Sequence, residues 1–334
     1  MILIIDFGSQ FNQLIARRVR ECHVYCQIES PRIAIKDIRS MKPEGIILSG
    51  GPSSIYEKNS PRIDMDIFNL KIPVLGICYG MQFMVDALGG VVKSTRKREY
   101  GFAELSIKKK TGLFKSMDTK TQTWMSHGDS IHKLPPGFVT TATTRNTPIA
   151  AAQNYRKRLY GLQFHPEVEH TPKGKLMIRH FLFDVCGCRR SWTMKSFATS
   201  SMTEIREQIG NQKVILGLSG GVDSSVTALL IHKAVGKNLT CIFVDNGLLR
   251  KNEASQLKQR LKQHLNINIK FVSAKSKFLN ALARVSDPEK KRKIIGRVFM
   301  EVFESEAKKI KGAEFLAQGT LYPDVIESVS AFGG

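Results

Sequence analysis

The stretch Val214-Ile215-Leu216-Gly217-Leu218-Ser219-Gly220-Gly221-Val222-Asp223-Ser224-Ser225 decides the fold class of the second half of this 334-residue chain. The apolar run 214–218 predicts a buried strand, the serine and glycines after it predict a tight loop, and 224–235 predicts a helix. At such a turn, free backbone N–H groups and the positive end of the helix dipole converge on one point. The stretch therefore predicts an anion site between a strand and a helix.

The loop has no lysine of the kind found in the G-x-x-x-x-G-K-[ST] phosphate loop. It carries an acid instead, Asp223, which repels a phosphate unless a cation lies between them. A nucleotide bound together with magnesium is therefore the interpretation we favour. The alternative is an ordinary glycine turn, which the density of glycines, serines and acid in this short stretch disfavours.

The composition is that of a soluble globular protein with two domains. At 334 residues the chain is longer than a single core usually supports. Hydrophobic residues make up 42% and charged residues 24%, and no apolar run approaches the length of a membrane span. The first residues, 1–6, predict a core strand rather than a secretion signal, so we expect a cytoplasmic protein without a membrane partner.

The net charge and the cysteines restrict the possible functions less than the length and composition do. A formal net charge of +22 is compatible with nucleic-acid binding. The basic residues are scattered, however, outside 108–110 and 289–293, and aromatic residues do not alternate with them. We therefore expect a basic surface that attracts small anionic substrates, and no nucleic acid. The six cysteines form no zinc-type C-x-x-C pair, which favours a reduced compartment.

The first half of the chain alternates between strands and helices, which predicts a mostly parallel sheet covered by helices. The predicted strands begin at Ile2, Val24, Gly45 and Val74, and the predicted helices cover 10–21, 81–88 and 175–185. Between 101 and 162, short strands and turns predict an antiparallel extension. The first predicted domain covers 1–186, and the polar segment 187–201 is predicted to be an irregular linker.

The alternation of strands and helices starts again in a second predicted domain, 202–334. The predicted strands are 214–218, 241–245, 269–273 and 314–317, and the predicted helices are 224–235, 251–265 and about 290–309. The predicted fold class is therefore α/β, with two consecutive domains built on mostly parallel sheets.

The segment Gly76-Ile77-Cys78-Tyr79-Gly80 has the form of the strand–nucleophile–helix elbow G-x-S-x-G, with sulfur in place of oxygen. A nucleophile at such a sharp turn projects into the cleft at the strand ends, where a helix N-terminus favours the thiolate. The alternative is that Cys78 is a small buried hydrophobe, as most lone cysteines after strands are.

Two other strand ends supply the groups that a cysteine nucleophile needs. The apolar strand 161–164 ends at His165, the candidate base, and Glu167 is placed to orient it and to stabilise its imidazolium. The turn 49–52 ends a third strand, and the N–H groups of Gly51 and Tyr79 are candidates for an oxyanion hole. Because three strand ends carry complementary chemistry, we favour a catalytic cysteine.

Two segments resemble the triad-type (class I) glutamine amidotransferases: Gly-Ile-Cys-Tyr-Gly-Met-Gln at 76–82 and Gly-Leu-Gln-Phe-His-Pro-Glu at 161–167. In that family a cysteine attacks the side-chain amide of glutamine, releases ammonia and leaves a glutamyl thioester for water to hydrolyse. The resemblance implies the triad amidotransferase fold and these roles: Cys78 nucleophile, His165 base, Glu167 its partner, Gly51 and Tyr79 oxyanion donors. It also implies a glutamine pocket containing Gln82 and the segment 126–129, with Ser126, His127 and Asp129.

The segment 219–225 resembles the pyrophosphate-binding loop of the N-type ATP pyrophosphatases, which have an adenine-nucleotide α-hydrolase-like, Rossmann-like fold. These enzymes cleave ATP between the α and β phosphates and adenylate an acceptor oxygen, which then leaves readily with AMP. The resemblance implies that ATP is bound by Ser219, Gly220, Gly221, Val222, Asp223, Ser224 and Ser225, with Val244 beside the adenine and ribose. It also implies that Asp223 is a ligand of the Mg²⁺ that accompanies ATP.

The glutamine-hydrolysing GMP synthetases fuse these two domains in this order, and the resemblance to that family covers nearly the whole chain. Its further segments are 244–253, 291–297 and 316–328. The implied reaction converts xanthosine monophosphate, ATP, glutamine and water into GMP, AMP, pyrophosphate and glutamate. Arg292 matches a residue that meets the phosphate of xanthosine monophosphate, the alternative being a solvated helix charge. Asp324 and Glu327 are implied to serve ATP and magnesium.

The family continues past the point that matches Gly334, with a lysine- and histidine-rich loop and a dimerisation domain. Those parts complete the xanthosine monophosphate site and form the contact of a homodimer. We therefore expect the homodimer to be a property of the full-length protein, and GMP formation by residues 1–334 alone to be absent or very weak.

Two other functions compete with this interpretation. A tRNA-modifying sulfur or amide transferase uses the same ATP loop and suits the positive charge, but it needs reactive cysteines beside the ATP site. Only Cys241 lies in the second predicted domain, 202–334, inside an apolar strand. A non-catalytic sensor of glutamine or nucleotide is the second alternative, and the presence of Cys78, His165, Glu167 and Asp223 together disfavours it.

Overall fold

The computed structural model describes residues 1–250, 256 and 267–319, without the side chains of 95–98. The chain divides into two compact units, Met1–Thr193 and Met194–Gly334. Each unit has an α/β architecture, so the predicted fold class of two consecutive α/β domains is confirmed. Among the helices that the structure describes, none combines the length and the apolar composition that crossing a membrane requires.

The first unit is built on a nine-stranded sheet in the order β2-β1-β3-β4-β9-β8-β7-β5-β6. The strands are β1 (Ile2–Ile5), β2 (Cys26–Glu29), β3 (Gly45–Leu48), β4 (Val74–Ile77), β5 (Val91–Ile107), β6 (Lys120–Lys133), β7 (Val139–Thr143), β8 (Ala151–Asn154) and β9 (Leu159–Leu162). Strands β2, β1, β3, β4 and β9 run parallel, and the remaining pairs are antiparallel. The carboxyl ends of the parallel strands therefore meet at one edge of the sheet.

Helices and two hydrophobic clusters cover the parallel strands on both faces. The helices are α1 (Asn12–Glu21), α2 (Ile35–Met41), α3 (Tyr79–Ala87) and α4 (Gly174–Arg179), and α4 continues as wider π-helical turns over His180–Val185. Every residue of β1, β3, β4 and β9 is buried. This explains why these strands are continuous apolar runs rather than alternating ones. Burial on both faces fixes where each strand ends, and with it the position of the residue that follows.

The antiparallel part of this sheet is larger than the sequence indicates. The predicted extension begins at Gly101, but β5 already begins at Val91 and pairs with β6 in register from Val91 opposite Lys133 to Ser106 opposite Lys120. The segment 93–98 consists of polar and basic residues, which hides the strand pattern from an analysis based on hydrophobic periodicity. A shift in register between Ser94 and Glu99 interrupts the pairing there.

The second unit has a four-stranded parallel sheet, in the order β12-β11-β10-β13, among its described residues. Its elements are α5 (Met194–Ile209), β10 (Lys213–Gly217), α6 (Val222–Val235), β11 (Leu239–Asp245), β12 (Asn268–Ser273), α7 (Lys275–Leu282), α8 (Pro288–Ala307) and β13 (Ala313–Ala317). Two hydrophobic clusters lie on its faces, one with Leu216 and Ile231 and the other with Ile242 and Phe303.

The strand order of this sheet places a topological switch point beside β10. The chain runs from β10 outward through β11 to β12, and then returns to place β13 on the other side of β10. In open parallel sheets, the connections on the two sides of such a point run in opposite directions, so that a crevice forms between them at the carboxyl edge. The loop after β10 is therefore at the position where this class of sheet binds ligands.

In this part of the chain, one local prediction is wrong and one helix was not predicted. The prediction that 187–201 is irregular is wrong from Met194 onward, because α5 begins there and packs Ile209 into the core. The helix α7 is not among the predicted elements. It follows β12 directly and buries Phe278 completely. The predicted helix 251–265 lies outside the described residues except at position 256.

Candidate active site

Cys78 occupies the sharp turn between β4 and α3. Its backbone has φ 49° and ψ −107°, a positive φ that side-chain-bearing residues rarely adopt. The turn is tight because its two glycines are pressed against neighbours. A Cβ at Gly76 would lie 2.7 Å from the backbone of Gly80, and one at Gly80 would overlap the carbonyl oxygen of Leu48. The G-x-C-x-G pattern is therefore required by the packing of the elbow itself.

His165 and Glu167 follow β9, the neighbour of β4 in the sheet, so both strands end at the same edge. Nδ1 of His165 lies 2.7 Å from Oε1 of Glu167, and the His165 and Glu167 residues are 4% and 0% exposed. Since a carboxylate only accepts hydrogen bonds, Nδ1 is the donor. Nε2 is then the nitrogen that remains for a proton transfer with a nucleophile.

The environment of His165 favours its protonated form. Burial alone lowers the pKa of His165, but the charge of Glu167 and a hydrogen bond with Cys78 outweigh it and raise the pKa well above its ordinary value. Cys78 and His165 also line the same space, because a Cβ at Gly50 would lie 3.1 Å from Cε1 of His165 and 3.7 Å from Cβ of Cys78. The three predicted triad residues are therefore together.

The turn that carries His165 is attached to β6. The N–H of His165 donates to the carbonyl of Trp124 at 3.1 Å. The hydroxyl of Thr171 donates to the carbonyl of His165 at 2.7 Å and accepts the N–H of Trp124 at 3.0 Å. On the other side, Nε of Arg18 donates to the carbonyl of Glu167 at 2.9 Å. These bonds hold the turn against movement relative to the nucleophile.

The candidate oxyanion donors lie beside the triad. The loop after β3 passes Cys78 closely, with the N–H of Gly80 donating to the carbonyl of Ser49 at 3.0 Å. Gly51 cannot be replaced without movement, because a Cβ there would lie 2.6 Å from the carbonyl oxygen of Phe7. Tyr79 is the first residue of α3, and the first-turn N–H groups of a helix have no acceptor within it.

The candidate glutamine pocket is formed by α3 and the middle of β6. The thiol of Cys78 lies 3.5 Å from the carbonyl oxygen of Ser126, and Nε2 of Gln82 donates to the carbonyl of Asp129 at 3.0 Å. The carboxylate of Asp129 accepts a hydrogen bond from Ser54. His127 points to a buried polar cluster, where Nδ1 lies 2.9 Å from the carbonyl oxygen of Asp129. Burial lowers the pKa of His127.

In the second unit, the loop Ser219–Ser225 is ordered by its own hydroxyl groups. Oγ of Ser219 lies 2.9 Å from Oγ of Ser224 and accepts the N–H of Gly221 at 3.2 Å. Oγ of Ser225 donates to the carbonyl of Gly221 at 2.8 Å. Gly220 has φ +84°, a backbone conformation that favours glycine. The helix α6 begins at Val222, within this segment, so its N-terminal N–H groups point to the same exposed region.

The end of β13 approaches this loop from the other side of the crevice. A Cβ at Gly319 would lie 3.2 Å from Oγ1 of Thr227 and 4.0 Å from the backbone of Asp223. Val244 is buried near the end of β11 on the opposite flank. After it, Asp245 accepts the N–H of Gly247 at 3.0 Å and pairs with Lys275 at 3.3 Å.

Asp223 is exposed in the first turn of α6. Among the described residues there is no group of three His, Cys, Asp or Glu side chains that would enclose a metal ion. Mg²⁺ that accompanies a nucleotide is usually held by one or two carboxylates together with the phosphates and water. A single exposed carboxylate in the first turn of a helix that follows a glycine loop therefore fits that mode of binding.

Comparison with known proteins identifies the first unit. The family model described as Glutamine amidotransferase class-I matches residues 3–185, more than half of the chain. The chain belongs to the class I glutamine amidotransferase family. A second family model, NAD synthase, matches residues 196–304. The resemblance of the first domain to this family is thus confirmed.

The relatives of this amidotransferase extend the similarity over both units. The chain is 54% identical over 332 residues to a GMP synthase (glutamine-hydrolyzing) of Brachyspira hyodysenteriae, which covers 99% of this chain and 65% of the relative. A protein of the same name from Clostridium botulinum is 54% identical over 328 residues, covering 98% of this chain and 64% of the relative. The chain therefore spans less than two thirds of the length of these relatives.

A solved structure gives the same indication for the fold of the amidotransferase unit. It is a protein of Thermoplasma acidophilum described as a candidate GMP synthase subunit, with 28% identity and a TM-score of 0.50. The match covers 56% of this chain and 93% of that protein.

Some predicted residues lie away from the triad of the first unit and from the loop Ser219–Ser225 of the second unit. Arg292 is on the exposed face of α8, where it forms a two-pronged pair with Glu289 at 2.8 and 3.0 Å. Asp324 and Glu327 lie outside the described residues. The assigned roles of all the predicted site residues of this amidotransferase stay predictions.

The structure also adds residues that the sequence analysis missed. Gln163 is completely buried, and its Nε2 lies 3.9 Å from the sulfur of Cys78. The signal was present, because a glutamine in the middle of an otherwise apolar strand is unusual. Thr171 and Glu99 gave no such signal, since neither lies in a pattern that distinguishes it from surface polar residues.

Proposed function

We propose that this chain carries the glutaminase and the ATP-using parts of a glutamine-hydrolysing GMP synthase. The observation that supports this most strongly is the 54% identity to such enzymes over 332 residues, because it spans both units in the same order. The proposed overall reaction consumes xanthosine monophosphate, ATP, glutamine and water, and yields GMP, AMP, pyrophosphate and glutamate. Glutamine, ATP and xanthosine monophosphate are the proposed partners.

In the proposed glutaminase reaction, the sulfur of Cys78 attacks the side-chain amide carbon of glutamine. The protonated His165 gives its Nε2 proton to the departing amide nitrogen, so that ammonia leaves and a thioester remains. The N–H groups of Gly51 and Tyr79 bind the oxygen that gains charge. Water then attacks the thioester with His165 as the base, which releases glutamate and the thiol. Glu167 keeps Nδ1 protonated throughout and stabilises the imidazolium.

In the proposed pocket, glutamine lies between α3 and β6. Gln82, Ser126 and Asp129 all lie within one hydrogen-bonded group that contacts Cys78. Asp129 is 9% exposed, and its carboxylate, which accepts a hydrogen bond from Ser54, is proposed to receive the α-amino group. The carbonyl of Ser126, beside the sulfur of Cys78, is proposed to face the amide. His127 is proposed to support this segment rather than to contact glutamine, because its ring is directed to the buried polar cluster.

In the proposed ATP site, N–H groups of Gly220, Gly221 and Val222 and the hydroxyls of Ser219, Ser224 and Ser225 hold the pyrophosphate portion. Asp223 holds the Mg²⁺ that neutralises it, and Val244 lies beside the adenine and ribose. Adenylation makes the oxygen of xanthosine monophosphate a good leaving group, which ammonia displaces as AMP. Arg292 is proposed to meet the phosphate of xanthosine monophosphate, for which it must exchange its partner Glu289.

We also propose that the full-length protein is a cytoplasmic homodimer that binds no nucleic acid. The competing assignment, a tRNA-modifying transferase, is weakened by Cys241. That thiol is completely buried in β11, and burial raises its pKa to about 12, so it is an inert group.

Pyrophosphate release from ATP by the whole protein tests the acceptor. We expect release to require xanthosine monophosphate, and formation of GMP to follow when glutamine or ammonia is added. Release that ignores xanthosine monophosphate but responds to another acceptor, such as tRNA, would overturn the assignment. Cys78→Ala should abolish amination from glutamine and leave amination from ammonia. Loss of both would contradict the separation into two sites.

A further inference from the structure

Behind the candidate glutamine pocket lies a buried polar cluster formed by Glu99, His127, Thr144 and Thr147. Glu99 is 8% exposed, His127 4% and Thr147 1%, so this carboxylate is removed from water. The hydroxyl of Thr147 donates to Oε2 of Glu99 at 2.6 Å, and the hydroxyl of Thr144 lies 3.0 and 3.1 Å from the two carboxylate oxygens. Glu99 faces His127 across β5 and β6, with Nε2 to Oε2 at 3.8 Å.

Counting protons shows that Nδ1 of the His127 ring carries a hydrogen. The carbonyl oxygen of Asp129 only accepts, so Nδ1 of His127, 2.9 Å away, carries a hydrogen. Thr147 has one hydrogen for two short contacts, to Glu99 at 2.6 Å and to Nε2 of His127 at 3.3 Å. Either Glu99 is charged and Nε2 is protonated too, or Glu99 carries the proton and Thr147 donates to Nε2. In both arrangements Glu99 keeps Nδ1–H directed to Asp129.

The hydrogen bond from Nδ1 of His127 matters because its acceptor, the carbonyl of Asp129, belongs to the segment beside Cys78. The carbonyl of Asp129 accepts from Nδ1 of His127 and also from Nε2 of Gln82, at 2.9 and 3.0 Å. Three residues before it, the carbonyl of Ser126 lies 3.5 Å from the sulfur of Cys78. A rotated or tilted His127 ring would leave the Asp129 carbonyl with Gln82 as its single donor, so the segment 126–129 would be held less firmly in place.

We propose that Glu99 is a positioning residue for glutamine recognition, which acts through His127 to hold the segment 126–129 against Cys78 and Gln82. Glu99 touches neither substrate nor nucleophile, so its effect is on the shape of the pocket. The proposal rests on the proposed glutaminase function. An ionisable group is costly to bury without partners. The proposal therefore gives a reason for the burial of a carboxylate that the triad does not use.

The test compares Glu99→Gln with Glu104→Gln in the glutaminase reaction. Glu104 lies on the same strand, but its side chain is 64% exposed and pairs with exposed Lys120 at 2.7 Å, which makes it the matched control. We expect Glu99→Gln to raise the KM for glutamine by about tenfold or more, with kcat changed by less than about threefold. The histidine ¹⁵N shifts should show that His127 has changed its protonation pattern. Glu104→Gln should match the wild type in both.

A second pair of variants covers the case in which Glu99→Gln does not fold. Thr147→Val removes the bridging hydroxyl at nearly constant volume and should raise the KM, whereas Thr147→Ser should restore it. Alkylation of Cys78 by a glutamine-derived chloroketone reports the same pocket without turnover, and its half-saturation should move with the KM. A folded Glu99→Gln or Thr147→Val with unchanged KM and half-saturation would overturn the proposal. Absence of both glutamine hydrolysis and alkylation in the wild type would instead overturn the proposed glutaminase.

Discussion

Nδ1 of His165 and Oε1 of Glu167 lie 2.7 Å apart, and the second carboxylate oxygen of Glu167 has no partner among the residues that the structure describes. The buried charge of Glu167 is therefore compensated mainly by the imidazolium of His165. Breaking such a buried pair by removing one charge is costly, because the other charge stays in a medium of low polarity. The pair thus links the state of the candidate base to the stability of the turn.

Glu167→Gln should lower kcat for glutamine hydrolysis by about two to four orders of magnitude with a small change in KM, because the neutral amide stabilises neither the tautomer nor the imidazolium. Glutamate release at saturating glutamine measures this. Glu169→Gln is the control, since Glu169 belongs to the same turn. Its side chain is 89% exposed, and its pair with Arg18 is long, at 3.8 Å. Equal losses in the two variants would indicate disruption of the turn rather than of the pair.

The raised pKa of His165 predicts how the same variant depends on pH. A histidine whose folded-state pKa is raised contributes stability that is fully present below its ordinary value of 6.5 and is lost as the pH rises through the folded-state pKa. The wild type should therefore exceed Glu167→Gln in thermal midpoint most clearly at about pH 6, and the difference should shrink toward alkaline pH. A gap that widens as the pH rises would contradict the assigned cause, as would NMR titration of His165 below 6.5 in the wild type.

Gly80→Ala should destabilise the first unit and reduce glutaminase activity together, because the added methyl group overlaps the carbonyl of Leu48. Overpacking of this kind costs about 1–3 kcal/mol or more where backbone must move. Gly296→Ala is the control for the substitution itself, since that glycine lies within α8 and an added Cβ would meet no described atom within 4 Å outside the backbone of that helix. It should leave stability unchanged or raise it by about 0.5–1 kcal/mol. Thermal unfolding of both variants decides this, and a Gly80→Ala variant as stable as the wild type would contradict the packing argument.

The sequence was informative where local chemistry and fold coincide. The elbow at Cys78 was predictable because glycines on both sides of a nucleophile follow from the backbone geometry of the turn. His165 was predictable as a base because parallel strands of one sheet end at one edge, which places residues distant in sequence beside each other. The loop at Ser219 was predictable for the same reason.

The remainder depended on pairings between distant segments that no local pattern encodes. The cluster of Glu99 with His127 exists because the pairing of β5 with β6 places Glu99 opposite His127, and a shift of one residue there would turn Glu99 to the other face. Thr171 connects His165 to Trp124 through two hydrogen bonds, and Trp124 is 47 residues away from Thr171 in the chain. Polar residues of this kind resemble surface residues until the sheet order is known.

Asp223→Asn should weaken the binding of ATP to this chain in the presence of Mg²⁺, because the exposed carboxylate in the first turn of α6 is the proposed ligand of the ion beside the phosphates. Without Mg²⁺ the same variant should bind ATP as well as the wild type or better, since a negative charge that repels the phosphates has been removed. This reversal of sign separates a metal ligand from a residue that only shapes the loop.

Isothermal titration of ATP with and without Mg²⁺ measures both halves of that prediction. Glu301→Gln provides the control, because Glu301 lies on α8 in an exposed pair with Lys277 at 2.9 Å and should not affect either value. We expect a loss of about tenfold or more in affinity for the magnesium complex. An Asp223→Asn variant that loses affinity equally with and without Mg²⁺ would show that Asp223 orders the loop. The ion would then need oxygen ligands other than Asp223.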